Sequence, residues 1–230
     1  AQGLDRLEEL ADGLEVTIKQ QFAGPLTLAA TVERPRGDKL LADHGARREL
    51  GEALAAGLSE HLRDLGRRFA HSDLIVQIDE PAISAVLAGS VPTASGFGKH
   101  RTVEPPEADV LLGQLVSVIH AAGATAVLHS CAPGVPLKLI AGAGFDAISF
   151  DLKLAQVADD WAEVFEAGTN LWFGGGTAGQ IEEFMARLGF GIDVFAGRSV
   201  VTPACGLANR KPPVARQELT QVGQTAASFG

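Results

Sequence analysis

A histidine and a cysteine stand two positions apart at the end of an apolar run, Ala126-Val127-Leu128-His129-Ser130-Cys131. The chain's other cysteine, Cys205, ends a second apolar run, Val200-Val201-Thr202-Pro203-Ala204-Cys205. Thiolate sulfur, imidazole nitrogen and carboxylate oxygen are the donors that zinc takes. Side chains alternate along a strand, so His129 and Cys131 share one face and Ser130 takes the other. Asp151 ends the next apolar run, and Asp79 with Glu80 ends an earlier one, Leu74-Ile75-Val76-Gln77-Ile78. Each residue alone has an ordinary explanation. A lone cysteine packs as a small hydrophobe, a strand-end aspartate caps a helix, and Glu80-Pro81 reads as a helix start with proline in the first turn. Two cysteines and a histidine at strand C-termini, with Asp151 beside them, weigh instead toward a Zn2+ site of His129, Cys131, Asp151 and Cys205.

Such a site needs a scaffold that brings distant strand ends together. Apolar runs bounded by Gly, Pro and polar residues read as strands over 16–23, 74–79, 124–131, 147–151, 170–173 and 199–204. Helical periodicity follows each in turn, with Leu50, Leu54, Leu58, Leu62, Leu65 and Phe69 forming the longest stripe, over 46–69. Arg47, Arg48, Arg63, Arg67 and Arg68 read as its solvated face. A helix over 3–13 opens the chain, and 89–106 is a long Gly- and Pro-containing loop of the kind that is functional or disordered.

Strand then helix, about six times over, is an α/β pattern with a parallel sheet and right-handed crossovers. A doubly wound sheet and a (β/α)8 TIM barrel both satisfy it. The chain has no G-x-G-x-x-G at a strand-to-helix turn, and Gly174-Gly175-Gly176 lacks the Lys-Ser/Thr of a phosphate loop. Polar residues gather at strand C-termini, where a barrel carries its active site. We therefore expect a single barrel domain over 1–230, incomplete in this chain. Eight strands close such a barrel, so the expectation includes missing N-terminal β/α units, or closure by a partner or a second copy.

Composition narrows the function classes. A net charge of −9 without a basic cluster argues against nucleic acid. No apolar run approaches the roughly 20 residues of a membrane span, and the N-terminus lacks a signal pattern. Two cysteines 74 residues apart make no disulfide framework and favour a reducing, cytoplasmic setting.

These residues carry a resemblance. His129-Ser130-Cys131 resembles the H-x-C zinc motif of the cobalamin-independent methionine synthases, in their C-terminal catalytic barrel, and Pro203-Ala204-Cys205-Gly206-Leu207 resembles their P-x-C-G-L motif. Gln77-Ile78-Asp79-Glu80-Pro81-Ala82 is similar to Q-I-D-E-P-A, Gly24-Pro25-Leu26-Thr27 to G-P-V-T, and Ile148-Ser149-Phe150-Asp151 to I-x-I-E. The motifs recur in order over most of the chain, within a superfamily that also holds the uroporphyrinogen decarboxylases.

The resemblance implies a zinc-dependent methyltransferase that passes a methyl group to the thiol of homocysteine or a related thiol. It implies that Asp79, with Gly24 and Thr27, binds substrate. The departures are specific. Asp151 stands where the family has Glu, Thr31 where it has Trp, and Gly174–Thr177 where it has an Asp-x-His acid pair. His100 on the long loop is the remaining candidate acid. Two other readings stand beside this one. A metal-free lyase of the uroporphyrinogen decarboxylase type would need arginines at the mouth, for which Arg101 and Arg210 are the candidates. A non-catalytic zinc-binding or interaction remnant would need neither donor nor acid.

Overall fold

The computed structural model of the chain describes residues 2–35, 37–195 and 197–229. Six strands lie in one sheet in chain order: β1 (Ile18–Ala23), β2 (Leu74–Asp79), β3 (Thr125–Ser130), β4 (Ala147–Asp151), β5 (Asn170–Gly174) and β6 (Ser199–Thr202). Every pairing is parallel. The helices are α1 (Gln2–Ala11), α2 (Pro25–Thr31), α3 (His44–Arg68), α4 (Ile83–Leu87), α5 (Pro105–Ala121), α6 (Leu137–Gly142), α7 (Asp159–Glu166), α8 (Ala178–Arg187) and α9 (Pro212–Ala227). The sheet curls as a half-barrel with β1 and β6 at its edges. This agrees with an incomplete barrel, and a closed ring of eight strands is not formed among the described residues.

Strand alternation divides the work between the two faces. Val76, Ile78, Ala126, Leu128, Ile148, Phe150, Leu171 and Phe173 point outward into the helical layer and are buried there. Phe150 packs on Trp161 of α7 with ring centroids 4.3 Å apart, and Phe173 meets Phe184 of α8 edge-on at 5.8 Å. Each such side chain contributes about 1.5–3 kcal/mol on burial, so the convex layer holds the fold together. The opposite positions make a concave trough. Val127, Ala147 and Trp172 form a small apolar floor there, and polar residues stand above it.

Several elements depart from the sequence reading for local reasons. Gly24-Pro25 does not simply stop β1: Pro25 begins α2, its fixed φ and missing N–H being tolerated in a first turn. Asp43 caps α3 by accepting the Ala46 N–H at 3.0 Å, which starts that helix two residues before the expected 46. Two of the arginines assigned to a solvated face are engaged instead. Arg47 grips Glu107 of α5 through Nε at 2.7 Å and Nη2 at 2.9 Å, and Arg68 reaches Asp5, Glu8 and Asp64. The long loop after α4 is pinned, since Asp38 accepts the N–H groups of Lys39 and Ala94, both at 2.8 Å. Among the described residues no helix is long and apolar enough to cross a membrane.

Candidate metal centre

Parallel register places the inward residues of neighbouring strands side by side: Asp79 is paired with His129, and His129 with Ser149. Cys131 follows directly on β3, and Cys205 lies three residues past β6. The ligand atoms of His129, Cys131 and Cys205 all lie within 4.8 Å of one another. The two sulfurs are 3.9 Å apart. Two thiolates on one tetrahedral zinc, each bonded at about 2.3 Å, would stand about 3.8 Å apart. The donor set and its spacing therefore fit zinc.

What surrounds the three donors is equally ordered. His129 Nδ1 is 3.0 Å from Ser149 Oγ, a contact that leaves Nε2 free as a ligand atom when Nδ1–H donates. Burial lowers the His129 pKa, against the pull of Asp79, and so favours the neutral ring that a metal needs. Burial raises the Cys131 pKa, with Cys205 and then Asp151 adding to it. Cys131 is thus held as a thiol in the bare site. Gly174 explains how Cys205 arrives. A Cβ there would meet the Phe150 carbonyl oxygen at 2.5 Å and Ala204 Cα at 3.0 Å, so only glycine lets the Pro203–Cys205 segment pass over the end of β5.

The other expected site residues fall into two groups. Asp79 lines the same cavity as the three donors, a space of about 380 Å3 at the mouth of the trough, and Gln77 Nε2 donates to its Oδ1 at 2.6 Å. Asp151 stands outside the three-donor group; its Oδ1 accepts the Lys153 N–H at 2.9 Å and so shapes the turn after β4. Gly24 and Thr27 do not line the cavity. They hold Glu80. His100 is buried against Asp38, with Nε2 3.2 Å from Oδ1 but not aligned to donate to it, and it also lies off the cavity. Arg101 is exposed, and Arg210 pairs with Glu218 at 3.3 Å; neither lines the cavity.

Glu80 is not the helix start that its sequence suggests. Helix α4 begins only at Ile83, and the Glu80 side chain, fully buried, turns to the N-terminus of α2. Its oxygens accept Leu26 N–H at 2.8 Å, Thr27 N–H at 2.7 Å and Thr27 Oγ1–H at 2.6 Å. The Thr27 hydroxyl oxygen in turn faces the Ala82 N–H at 3.2 Å. These are the orphan donors of a helix start, an anion site filled from within. Burial outweighs the three donors and pushes the Glu80 pKa up to about 7. Gly24 is required because a Cβ there would overlap the carboxylate.

Sequence reasoning missed five cavity residues: Lys19, Gln21, Gln77, Ser149 and Thr202. A signal was present. All share the inward parity of the residues that were found, two or four positions from Asp79, His129 or Asp151 in the register.

A family model described as the cobalamin-independent synthase catalytic domain matches residues 14–228. The chain belongs to that family. Its members are of the methionine synthase, methyltransferase type, and the match spans every strand of the half-barrel. A search of the curated proteins finds no match. Solved structures that match include 2,3-dimethylmalate lyase, of the PEP mutase/isocitrate lyase superfamily. It is 14% identical over 98% of this chain and 87% of that chain, with a TM-score of 0.35, a likeness that carries no argument for this cobalamin-independent synthase relative.

Proposed function

We propose that this chain is a zinc-dependent methyltransferase that passes a methyl group from a small-molecule donor to the thiol of homocysteine or a related thiol, in the cytoplasm. The observation that carries the reading is the convergence of His129, Cys131 and Cys205, within 4.8 Å, in the cavity that also holds Asp79. Bound zinc would lower the pKa of a substrate thiol enough to supply a thiolate nucleophile at neutral pH.

The remaining work belongs to the chain. His129, Cys131 and Cys205 hold the metal, and Ser149 orients the His129 ring. Asp79, its carboxylate turned by Gln77, offers a charge-assisted bond to the ammonium of an amino-acid thiol. Holding acceptor and donor together in one cavity replaces a bimolecular encounter with a positioned one. Pro203 and Leu207 supply apolar wall beside the sulfurs.

The test is metal content followed by turnover. Protein purified without chelators is expected to hold about one zinc per chain, lost in Cys131→Ser and Cys205→Ser. Fresh protein free of metal would overturn the reading. Methylation of homocysteine, followed with a folate, a corrinoid and a sulfonium methyl donor in turn, then separates an enzyme from a zinc-binding remnant.

A further inference from the structure

The chain has two cysteines, and both are free thiols. The Cys205 Sγ–H is directed at Cys131 Sγ, 3.9 Å away. A disulfide holds its sulfurs at about 2.05 Å, so the pair lies about 2 Å from bonding distance. One side of the pair is fixed. Cys131 directly follows Ser130, which is fully buried at the end of β3, between β2 and β4. The other side has room to move. Cys205 is exposed and follows the edge strand β6. Among the described residues, segment 203–206 exchanges no main-chain hydrogen bond with another segment.

We propose that Cys131 and Cys205 form a reversible disulfide under peroxide, a redox switch that empties the metal centre. This rests on the proposed metal centre, whose donors the switch removes. The exposed Cys205 sulfur is the one that a small oxidant reaches first. Hydrogen peroxide oxidises it to a sulfenic acid and one water leaves. Cys131 Sγ then attacks that sulfur: the S–S bond forms, the S–O bond breaks and a second water leaves. Two thiols thereby lose two electrons and two protons, and one peroxide takes up both. A resolving sulfur 3.9 Å away traps the sulfenic acid before it is oxidised further. Of the three donors only His129 then remains, and one imidazole does not make a zinc site. A reducing dithiol reverses the bond by thiol–disulfide exchange and restores the donors.

The experiment treats the chain, zinc-loaded and metal-free, with hydrogen peroxide in molar excess and reads intact mass, free thiols and released zinc. Both forms are expected to become monomers lighter by two hydrogens, with no free thiol and with one proteolytic fragment pair joined through Cys131 and Cys205. The loaded form releases its zinc, and dithiothreitol restores both thiols and zinc uptake. Cys205→Ser is expected to give no species lighter by two hydrogens. Oxygen added to either sulfur in place of the bond, a bond between two chains, or a zinc-loaded chain that keeps both thiols overturns the inference and leaves the metal reading intact. A chain that takes up no zinc before oxidation or after reduction overturns the metal reading and the switch with it.

Discussion

Cys131 Sγ and Cys205 Sγ stand 3.9 Å apart although 74 residues separate them in the chain. One directly follows β3 and the other follows β6, so the half-barrel between them sets the distance. Without metal, Cys131 is held as a thiol, because burial and the neighbouring sulfur push its pKa up. Metal binding must then displace protons. The sign follows directly: affinity for zinc falls as pH drops, since protons compete for the same sulfurs. Each thiol proton that the metal displaces changes the apparent affinity by up to about tenfold per pH unit. Competition against a chelator of known affinity at pH 6, 7 and 8 measures this slope. A pH-independent affinity would mean that the cysteines are not the ligands.

Glu80 ties the start of α2 to the end of β2, and it titrates near neutrality. Its folded pKa, about 7, lies above the ordinary glutamate value of 4.5. The folded chain therefore binds this proton more tightly, and the stability it contributes at low pH is lost as pH rises from about 4.5 to 7. The lost amount is about 3 kcal/mol, from 1.36 kcal/mol per pKa unit. His129, whose pKa is lowered by burial, gives an opposite slope as it deprotonates, so the comparison must be with a variant. Glu80→Gln is expected to be less stable at pH 5, because an amide leaves one helix N–H unpaired, and to show a flatter pH dependence. Urea midpoints for both proteins at pH 5 and pH 8 decide the matter. Parallel dependences would show that the Glu80 carboxyl is not protonated at pH 5.

The same contact gives a backbone prediction. A methyl at Gly24 would overlap a carboxylate that three donors hold in place, so Gly24→Ala is expected to destabilise by about 1–3 kcal/mol. Gly66, inside α3 with nothing near its would-be Cβ, is the contrast. Gly66→Ala is expected to stabilise by about 0.5–1 kcal/mol, as glycine-to-alanine changes in open helix positions do. Chemical denaturation of the two variants would show opposite shifts in midpoint.

Much of this was legible in the sequence, and the boundary has physical causes. Apolar runs gave the strands because residues such as Val76, Ile78, Leu128 and Phe173 are buried against the helical layer. His129, Cys131 and Cys205 were legible because soft donors at strand ends have few other uses. Glu80 was misread, because its partners lie 53 and 54 residues away and nothing local to Glu80-Pro81 reveals them. Helix α2 was missed for the reciprocal reason: its seven residues are nucleated by that same distant carboxylate. Lys19 was passed over because a lysine in a strand reads as solvent-facing. Which face of an edge strand is concave is a property of the curled sheet, and β1 alone does not contain it.

Asp151 separates two versions of the metal centre. The resemblance makes it a ligand, whereas its carboxylate accepts the Lys153 N–H at 2.9 Å and stands outside the three-donor group. An aspartate is one methylene shorter than the glutamate that the resemblance places there. We expect Asp151→Asn to keep its zinc, with an affinity reduced by about tenfold, as loss of a group beside the ligands does, while Cys131→Ser loses far more. Metal titration of both variants against the same chelator makes the comparison. Equal losses would place Asp151 among the ligands.

Gly174 offers a way to disturb the centre without touching a ligand. Its would-be Cβ meets two backbone atoms, the Phe150 carbonyl oxygen at 2.5 Å and Ala204 Cα at 3.0 Å. Neither is the end of a flexible side chain, so a segment must move. Phe150 is in the middle of the sheet and buried among Trp161, Phe173 and Phe184, whereas Ala204 lies on the loop past β6. The loop gives way, and Cys205 moves with it. A displacement of even about 1 Å spoils a tetrahedral site whose bond lengths are met within about 0.2 Å. Gly174→Ala is therefore expected to weaken zinc binding by an order of magnitude or more, and to lower stability by only about 1–3 kcal/mol. Chelator competition and denaturation on the same sample read the two effects. Full zinc affinity in this variant would mean that the loop holding Cys205 is positioned by something other than its passage over Gly174.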